Sequence, residues 1–290
     1  MLAALALALG CQPARPPQNQ NKGMKTPAYR LFVGTYTNAQ TPSGKRSEGI
    51  YVYDWDPAQE SLELWGKSDF VPNPSYLAVK PGGQFVFAVS EIASPHGKLA
   101  SFRVDTAQKR LELINRASSE GAHPCHVSLS ADSRYALVAN YSGGNVAMLP
   151  ISPAGRLGKA AVIWQHKGAG PTQRQAAPHA HMIQALHGTP YAFASDLGTD
   201  EIRVYEILPE KAELKPVVNI ATTPGMGPRH LAFHPQLSVV YALGELDGHI
   251  EAYLLDKQTA GLSRFQRVPT VKDTSQAAHA GCAAIHVHPD

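Results

Sequence analysis

The chain lacks most of the features that mark common enzyme and binding classes. Its 290 residues include three cysteines, which are too few for a disulfide-based scaffold. The sequence has no phosphate-cradling P-loop, no G-x-G-x-x-G after a strand, no C-x-x-C pair and no G-x-S-x-G nucleophile motif. The net charge of +3 is small, and no long run of like charges occurs, so nucleic acid is not an expected partner.

Long apolar runs are also scarce, and the clearest one lies at the N-terminus. Residues 1–10 are almost wholly Ala and Leu, which is too short to span a bilayer. Ala8-Leu9-Gly10-Cys11 is similar to a bacterial lipobox, although Ala8 stands where Leu is usual and no Lys or Arg precedes the run. We therefore predict that residues 1–28 are a signal and linker segment. The protein is then a periplasmic or cell-envelope lipoprotein, tethered to the membrane through lipidated Cys11. The alternative is a translation start at Met24, which gives a cytoplasmic protein.

Residues 29–290 carry an internal repeat of about 50 residues. Aligned segments begin at Tyr76, His126, His181, His230 and Ala284. The first four each continue into two further apolar runs of alternating type, separated by Gly, Pro, Asp and Asn turns. Weaker segments at 62–65 and 111–114 supply a fourth strand. Four strands in about 50 residues is the size of one propeller blade, so the sequence predicts an all-β propeller of four-stranded blades.

The number of repeats predicts whether the ring of blades is complete. The earliest copy begins near residue 29 and lacks its first strand, and the last copy starts at Ala284 and stops at Asp290. We expect a C-terminally truncated and open propeller, monomeric when full length. Cys125 and Cys282 open blades three units apart, so both are expected to be free thiols.

A second regularity locates a candidate site. The first residue of each repeat is followed, 15 positions later, by the residue that closes the next strand. In an antiparallel hairpin such residues face each other, so all the pairs are predicted to lie at one rim of the ring. Because Pro228 delays the start of its strand, Arg229 is expected to reach the same rim and pair with Glu245 or a substrate anion. The four predicted pairs are Tyr76 with Glu91, His126 with Tyr141, His181 with Asp196, and His230 with Glu245.

These motifs together resemble the propeller-type lactonase family, which includes bacterial 6-phosphogluconolactonase and fungal carboxymuconate cyclase. The resemblance rests on residues 73–79, 123–128, 138–144, 178–181, 196–200, 227–235 and 285–290, and it covers about residues 29–290. It implies a ring of seven blades when complete. It also implies that Arg229, Glu245 and His181 are catalytic. The predicted substrate-binding residues are His126, His179, His230, Glu91, Asn140, Asp196 and His286.

Hydrolysis of a small-molecule sugar lactone, phosphorylated or not, is the predicted activity. His181 or Glu245 takes a proton from water, and Arg229 holds the oxyanion or clamps a substrate anion. Two alternatives remain open, a carboxymuconate-type cycloisomerase and a non-catalytic propeller that binds a ligand at the same rim. No cofactor is expected. A metal held by His179 and His181 is disfavoured, because the acidic residues are spread one per blade.

Overall fold

Short strands joined by tight turns make up the described part of the chain, which is residues 29–38, 46–93, 97–279 and 281–288 of this computed structural model. The predictions about Cys11 and Met24 lie outside these residues. Three 3₁₀ turns also occur in the described ranges, at Gln173–Gln175, Pro209–Lys211 and Thr274–His279. The strands, in chain order, are β1 (Tyr29–Val33), β2 (Tyr51–Asp56), β3 (Ser61–Ser68), β4 (Leu77–Val79), β5 (Phe85–Ser90), β6 (Lys98–Asp105), β7 (Arg110–Ser118), β8 (Pro124–Leu129), β9 (Tyr135–Asn140), β10 (Asn145–Pro150), β11 (Val162–Gln165), β12 (Ala180–Ala185), β13 (Tyr191–Asp196), β14 (Glu201–Leu208), β15 (Glu213–Ala221), β16 (Pro228–Phe233), β17 (Val239–Gly244), β18 (His249–Leu255) and β19 (Leu262–Pro269).

The strands form four-stranded antiparallel blades in the order of the sequence repeats. β8–β11, β12–β15 and β16–β19 are separate sheets in which each strand pairs with the next one along the chain. β4–β7 form another such blade, and β1–β3 join its outer edge through two parallel pairs between β3 and β7. The prediction of an all-β propeller of four-stranded blades is confirmed. The earliest unit has three strands in the described residues, as its missing first strand implied.

The apolar core lies between successive blades. Phe87, Leu99 and Val138 belong to a buried cluster that joins the second and third units, and equivalent clusters join the other neighbours. Phe193 of the fourth unit is fully buried and packs edge-on against Phe233 of the fifth, with ring centroids 5.4 Å apart. A blade cannot bury both of its apolar faces alone, so this stacking supplies the stability that fixes the rim geometry.

The register at the start of the inner strands differs from the prediction. The expected 15-residue pairing places each first residue opposite the last, whereas His126 pairs with Ala139 and His230 with Leu243. Asp196 pairs with Ala180 rather than His181. Each hairpin has a β-bulge near the start of its inner strand. His181 is itself the extra residue of its bulge, so it has no partner in the ladder. His126 and His230 lie just after their bulges and keep the register of the rest of the hairpin, in which the partner is 13 residues later rather than 15.

The three bulged positions are equivalent in successive blades. They are Cys125, His181 and Arg229, each lying between two paired residues of its strand. Bulges redirect a side chain out of the usual alternation and are frequent next to active sites. Arg229 illustrates the effect, because β16 begins at Pro228 and the expected late strand start is wrong. The bulge, rather than a late start, aims Arg229 to the same side as His230.

The end of the described chain also differs from the repeat pattern. Residues 281–288 are irregular, and no strand begins at Ala284 in that range, because no hairpin partner is paired with it there. None of the helical segments in the described ranges has the length and hydrophobicity needed to cross a bilayer.

Candidate active site

Arg229 and Glu245 form an ion pair at the rim where the inner strands begin. We call the region around this ion pair the mouth. Nε of Arg229 donates to Oε2 of Glu245 over 2.9 Å, and both side chains are largely buried. Nη1 of Arg229 donates to the carbonyl oxygen of Ala283, and the same atom lies 3.4 Å from Nε2 of His230. The guanidinium is therefore held by a carboxylate, a backbone carbonyl and an imidazole, which fixes its planar fork.

His181 lies beside this ion pair. Its Nε2 is 3.8 Å from Oε2 of Glu245, and its Nδ1 is 3.7 Å from Sγ of Cys125. Burial and the positive charge of Arg229 hold the pKa of His181 well below its ordinary value. Burial raises the pKa of the Cys125 thiol. At neutral pH the imidazole is therefore uncharged and faces a protonated thiol on one side and a carboxylate on the other.

Three aromatic rings, each from a different blade, extend the mouth towards the channel. Tyr76 packs on His126 with ring centroids 4.2 Å apart, and His230 lies 5.7 Å from each of them. Burial and the charge of Arg229 lower the pKa of His230 to about 3. Burial and the neighbouring histidines likewise lower the pKa of His126. This wall therefore consists of neutral rings.

A cavity of about 400 Å³ opens behind these rings. Tyr76 and His230 line it together with His286 from the end of the described chain. His126 contacts the rings of Tyr76 and His230 but does not line this cavity. The role of His126, His230 and His286 in binding substrate remains a prediction.

His179 and Tyr141 form the opposite wall. The two rings stack with centroids 4.5 Å apart, and the Tyr141 ring also meets His181 edge-on at 5.3 Å. Nδ1 of His179 lies 3.0 Å from the carbonyl oxygen of Tyr141. The Tyr141 hydroxyl accepts a hydrogen bond from Arg174 over 2.9 Å.

Glu91 occupies the position in the second unit that Glu245 occupies in the fifth. In both units the partner is 16 residues earlier, so Ser75 binds Glu91 as Arg229 binds Glu245. The Tyr36 hydroxyl also donates to Glu91 over 2.8 Å. Burial and this bond raise the pKa of Tyr36 to about 12. Glu91 therefore lies at the rim with its charge already bound by hydroxyl groups.

Asp196 and Asn140 do not reach the mouth. Asp196 is fully buried, and one of its oxygens accepts backbone N–H bonds from His179, Gly198 and Thr199. Asn140 is also fully buried, and its amide nitrogen donates to the carbonyl oxygen of Ser119. Because these polar groups tie loops to strands, we correct their assignment from substrate binding to structural support.

Two residues with clear roles were not identified in the sequence. Arg174 comes from the connection between β11 and β12, and its Nη1 lies 2.9 Å from Oε1 of Glu245. His166 is buried beside Asp196 and Tyr205. Arg174 lies in a connection between blades, and His166 follows an outermost strand, so the repeat of the inner strands carried no signal for them.

Across the residues whose placement is described, no group of three or more His, Cys, Asp or Glu side chains is arranged to hold a metal ion. Cys125 and Cys282 are free, as predicted.

The amino-acid sequence of the chain matches a family of known proteins. The family model described as "Lactonase, 7-bladed beta-propeller" matches residues 30–290. A 6-phosphogluconolactonase from Bacillus subtilis is 30% identical over 262 residues, which cover 90% of this chain and 72% of that protein.

Solved structures agree. A putative 6-phosphogluconolactonase from Bacteroides uniformis superposes with a TM-score of 0.81 at 32% identity, covering 90% of this chain and 72% of that one. A periplasmic gluconolactonase from Pseudomonas aeruginosa gives a TM-score of 0.76 at 33% identity, covering 84% and 69%. The chain belongs to the seven-bladed β-propeller lactonase family.

Proposed function

We propose that the chain hydrolyses a sugar lactone to its aldonate, with Arg229, Glu245 and His181 as the reacting groups. The observation that carries the proposal is their convergence, since Glu245 contacts both Arg229 and His181 through the same oxygen atom. The family membership and the names of the relatives, 6-phosphogluconolactonase and gluconolactonase, support the same reaction.

Arg229 is suited to stabilise the negative charge that develops on the lactone carbonyl oxygen. Its guanidinium is already fixed by Glu245 and by the carbonyl of Ala283, so little reorganisation is needed when the oxyanion forms. A fixed, partly buried cation acts more strongly there than the same charge in water.

His181 is suited to take the proton of the attacking water. Burial and Arg229 keep the imidazole neutral at physiological pH, so it enters the reaction as a proton acceptor. As the oxyanion forms beside Arg229, it offsets the positive charge that lowers the pKa of His181. The imidazole therefore becomes more basic as the proton is transferred, and Glu245, 3.8 Å away, stabilises the imidazolium. When the tetrahedral intermediate collapses, the ring C–O bond breaks and the imidazolium returns its proton to the departing ring oxygen.

The cellular location bears on the substrate. The similarity to a periplasmic gluconolactonase, together with the lipobox-like Ala8-Leu9-Gly10-Cys11, supports a periplasmic or cell-envelope lipoprotein anchored through Cys11. An enzyme there rarely meets sugar phosphates. A lactone without phosphate is therefore included among the candidate substrates.

The test is lactone turnover by the purified protein. We expect hydrolysis of glucono-δ-lactone or its 6-phosphate well above the spontaneous rate in buffer. Glu245→Gln removes the charge that holds both Arg229 and His181, and it should lower kcat/KM by at least about a hundredfold, as loss of an electrostatic group commonly does. Tight ligand binding without turnover of any lactone would contradict hydrolysis and favour the non-catalytic alternative. Conversion of a carboxymuconate in place of lactones would favour the cycloisomerase.

A further inference from the structure

Arg174 is presented to the mouth from a rigid connection. It lies in the 3₁₀ turn Gln173–Gln175, next to fully buried Gln175. Nε2 of Gln175 donates to the carbonyl oxygen of Leu197 over 2.9 Å, and Thr172 caps the turn through the Gln175 side chain. The backbone on which Arg174 stands is therefore anchored in the fourth blade, although the Arg174 side chain is 54% exposed.

The inner edge of the Arg174 guanidinium is oriented by two contacts. Nη1 lies 2.9 Å from Oε1 of Glu245, and Nη2 donates to the Tyr141 hydroxyl over 2.9 Å. Arg229 binds the other oxygen of the same carboxylate. The two guanidinium groups are thus separated by the width of one carboxylate, with Arg229 on the buried side and Arg174 on the solvent side.

The charges at this point do not cancel. One carboxylate, that of Glu245, pairs with the two guanidinium groups of Arg174 and Arg229. His181 and His230 add no charge, because burial and Arg229 lower their pKa values. Glu91, the other acid of the mouth, keeps its charge but is bound to Tyr36 and Ser75 rather than to Arg174. An anionic group arriving from solvent therefore meets the exposed edge of Arg174, whose paired carboxylate is shared with Arg229.

We propose that Arg174 binds an anionic group, a phosphate or a second carboxylate, on the lactone, and so selects charged over neutral sugar lactones. This inference rests on the function proposed above. Arg229 is left to act on the reacting carbonyl, because it is the buried member of the pair. An arginine fork suits both anions, since each offers two oxygen atoms to parallel N–H donors.

The direct test is calorimetric titration of the full chain with three acids that share an aldonate carboxylate. They are 6-phosphogluconate, glucarate and gluconate, whose second group is a phosphate, a carboxylate and a hydroxyl, respectively. We expect at least one of the doubly charged acids to bind about tenfold or more tightly than gluconate, as a charge-assisted bond to Arg predicts. The tighter of the two identifies the anion.

Arg174→Gln should abolish this preference and leave gluconate affinity within about twofold. Arg134→Gln is the matched control, because Arg134 is 48% exposed and also binds two acids, Asp132 and Glu210, but lies on the turn at the opposite rim. It should change none of the three affinities.

Two results would overturn the inference. The first is no preference, or no binding of any of the three acids, in the wild type. The second is an equal loss for all three acids in Arg174→Gln, which would mean that Arg174 only positions Glu245. Lactone turnover on the same preparations separates the proposals, because an Arg174-dependent preference without hydrolysis contradicts the lactonase function and leaves this inference standing.

Discussion

Nδ1 of His166 lies 2.5 Å from Oδ2 of Asp196, and neither side chain reaches solvent. Nε2 of His166 is 2.9 Å from the Tyr205 hydroxyl, so the imidazole bridges the start of the β11–β12 connection to two strands of the next blade. Burial alone would raise the pKa of Asp196, but hydrogen bonds from His166 and from the backbone amide of His179 outweigh it and lower the pKa. The contact therefore fixes the segment that carries both His179 and Arg174.

Asp196→Asn should lower stability rather than substrate affinity. The substitution replaces a carboxylate that accepts hydrogen bonds through both oxygens, so at least one buried donor loses its acceptor, which commonly costs about 1–3 kcal/mol. Glu206→Gln on β14 of the same blade is the control, since Glu206 pairs with exposed Lys215 over 3.6 Å and such a pair contributes less than about 1 kcal/mol. Urea unfolding measures both. A large rise in KM with unchanged stability would restore Asp196 to the substrate site.

The pH dependence of activity should reflect the lowered pKa of His181. The neutral imidazole is the active form, so kcat/KM should fall only as the pH drops through a value well below the ordinary 6.5. Initial rates corrected for spontaneous hydrolysis give the profile. An acidic limb centred at or above pH 6.5 would show that His181 is not held neutral by burial and Arg229, or that another group is the base.

Stability should also depend on pH through His230. Its folded-state pKa is about 3 and the ordinary value is 6.5, so the unfolded chain binds more protons between these values. The stabilisation is fully present above pH 6.5 and is lost as the pH falls towards about 3, by up to about 1.4 kcal/mol per pH unit for one proton. His230→Gln should flatten this decline by up to one proton in urea unfolding from about pH 7 to 4. An unchanged slope would contradict the assignment.

Much of the fold was predictable because strand alternation and turn residues recur every 50 or so positions. Every blade carries the same pattern, so a strand that is ambiguous in one repeat can be identified from the others. The bulges at Cys125, His181 and Arg229 were not predictable, because one extra residue at a strand end leaves the following alternation intact. The predicted placement of these side chains at one rim does not depend on the bulges, because a shift of one or two residues does not move a side chain to the other end of a strand.

The candidate site was predictable only where its residues belong to the repeat. Arg229, Glu245 and His181 occupy repeated positions and meet in the structure. Arg174 and His166 lie in the connection between two blades, outside the repeated inner strands, and their contacts depend on how neighbouring blades pack. The 15-residue spacing aligns Asp196 with Glu245, but the strand pairing makes Asp196 equivalent to Gly244, and its side chain points inward to His166.

The most direct test of the account is the kinetics of Arg229→Lys. Lysine keeps the charge but loses the planar fork that binds Glu245 and Ala283 together. We predict that kcat/KM for the preferred lactone falls at least about tenfold, equivalent to about 1.4 kcal/mol of transition-state stabilisation, with little change in Tm. Unchanged activity with a clear fall in Tm would show that Arg229 is a structural strut and that the mouth is not the active site.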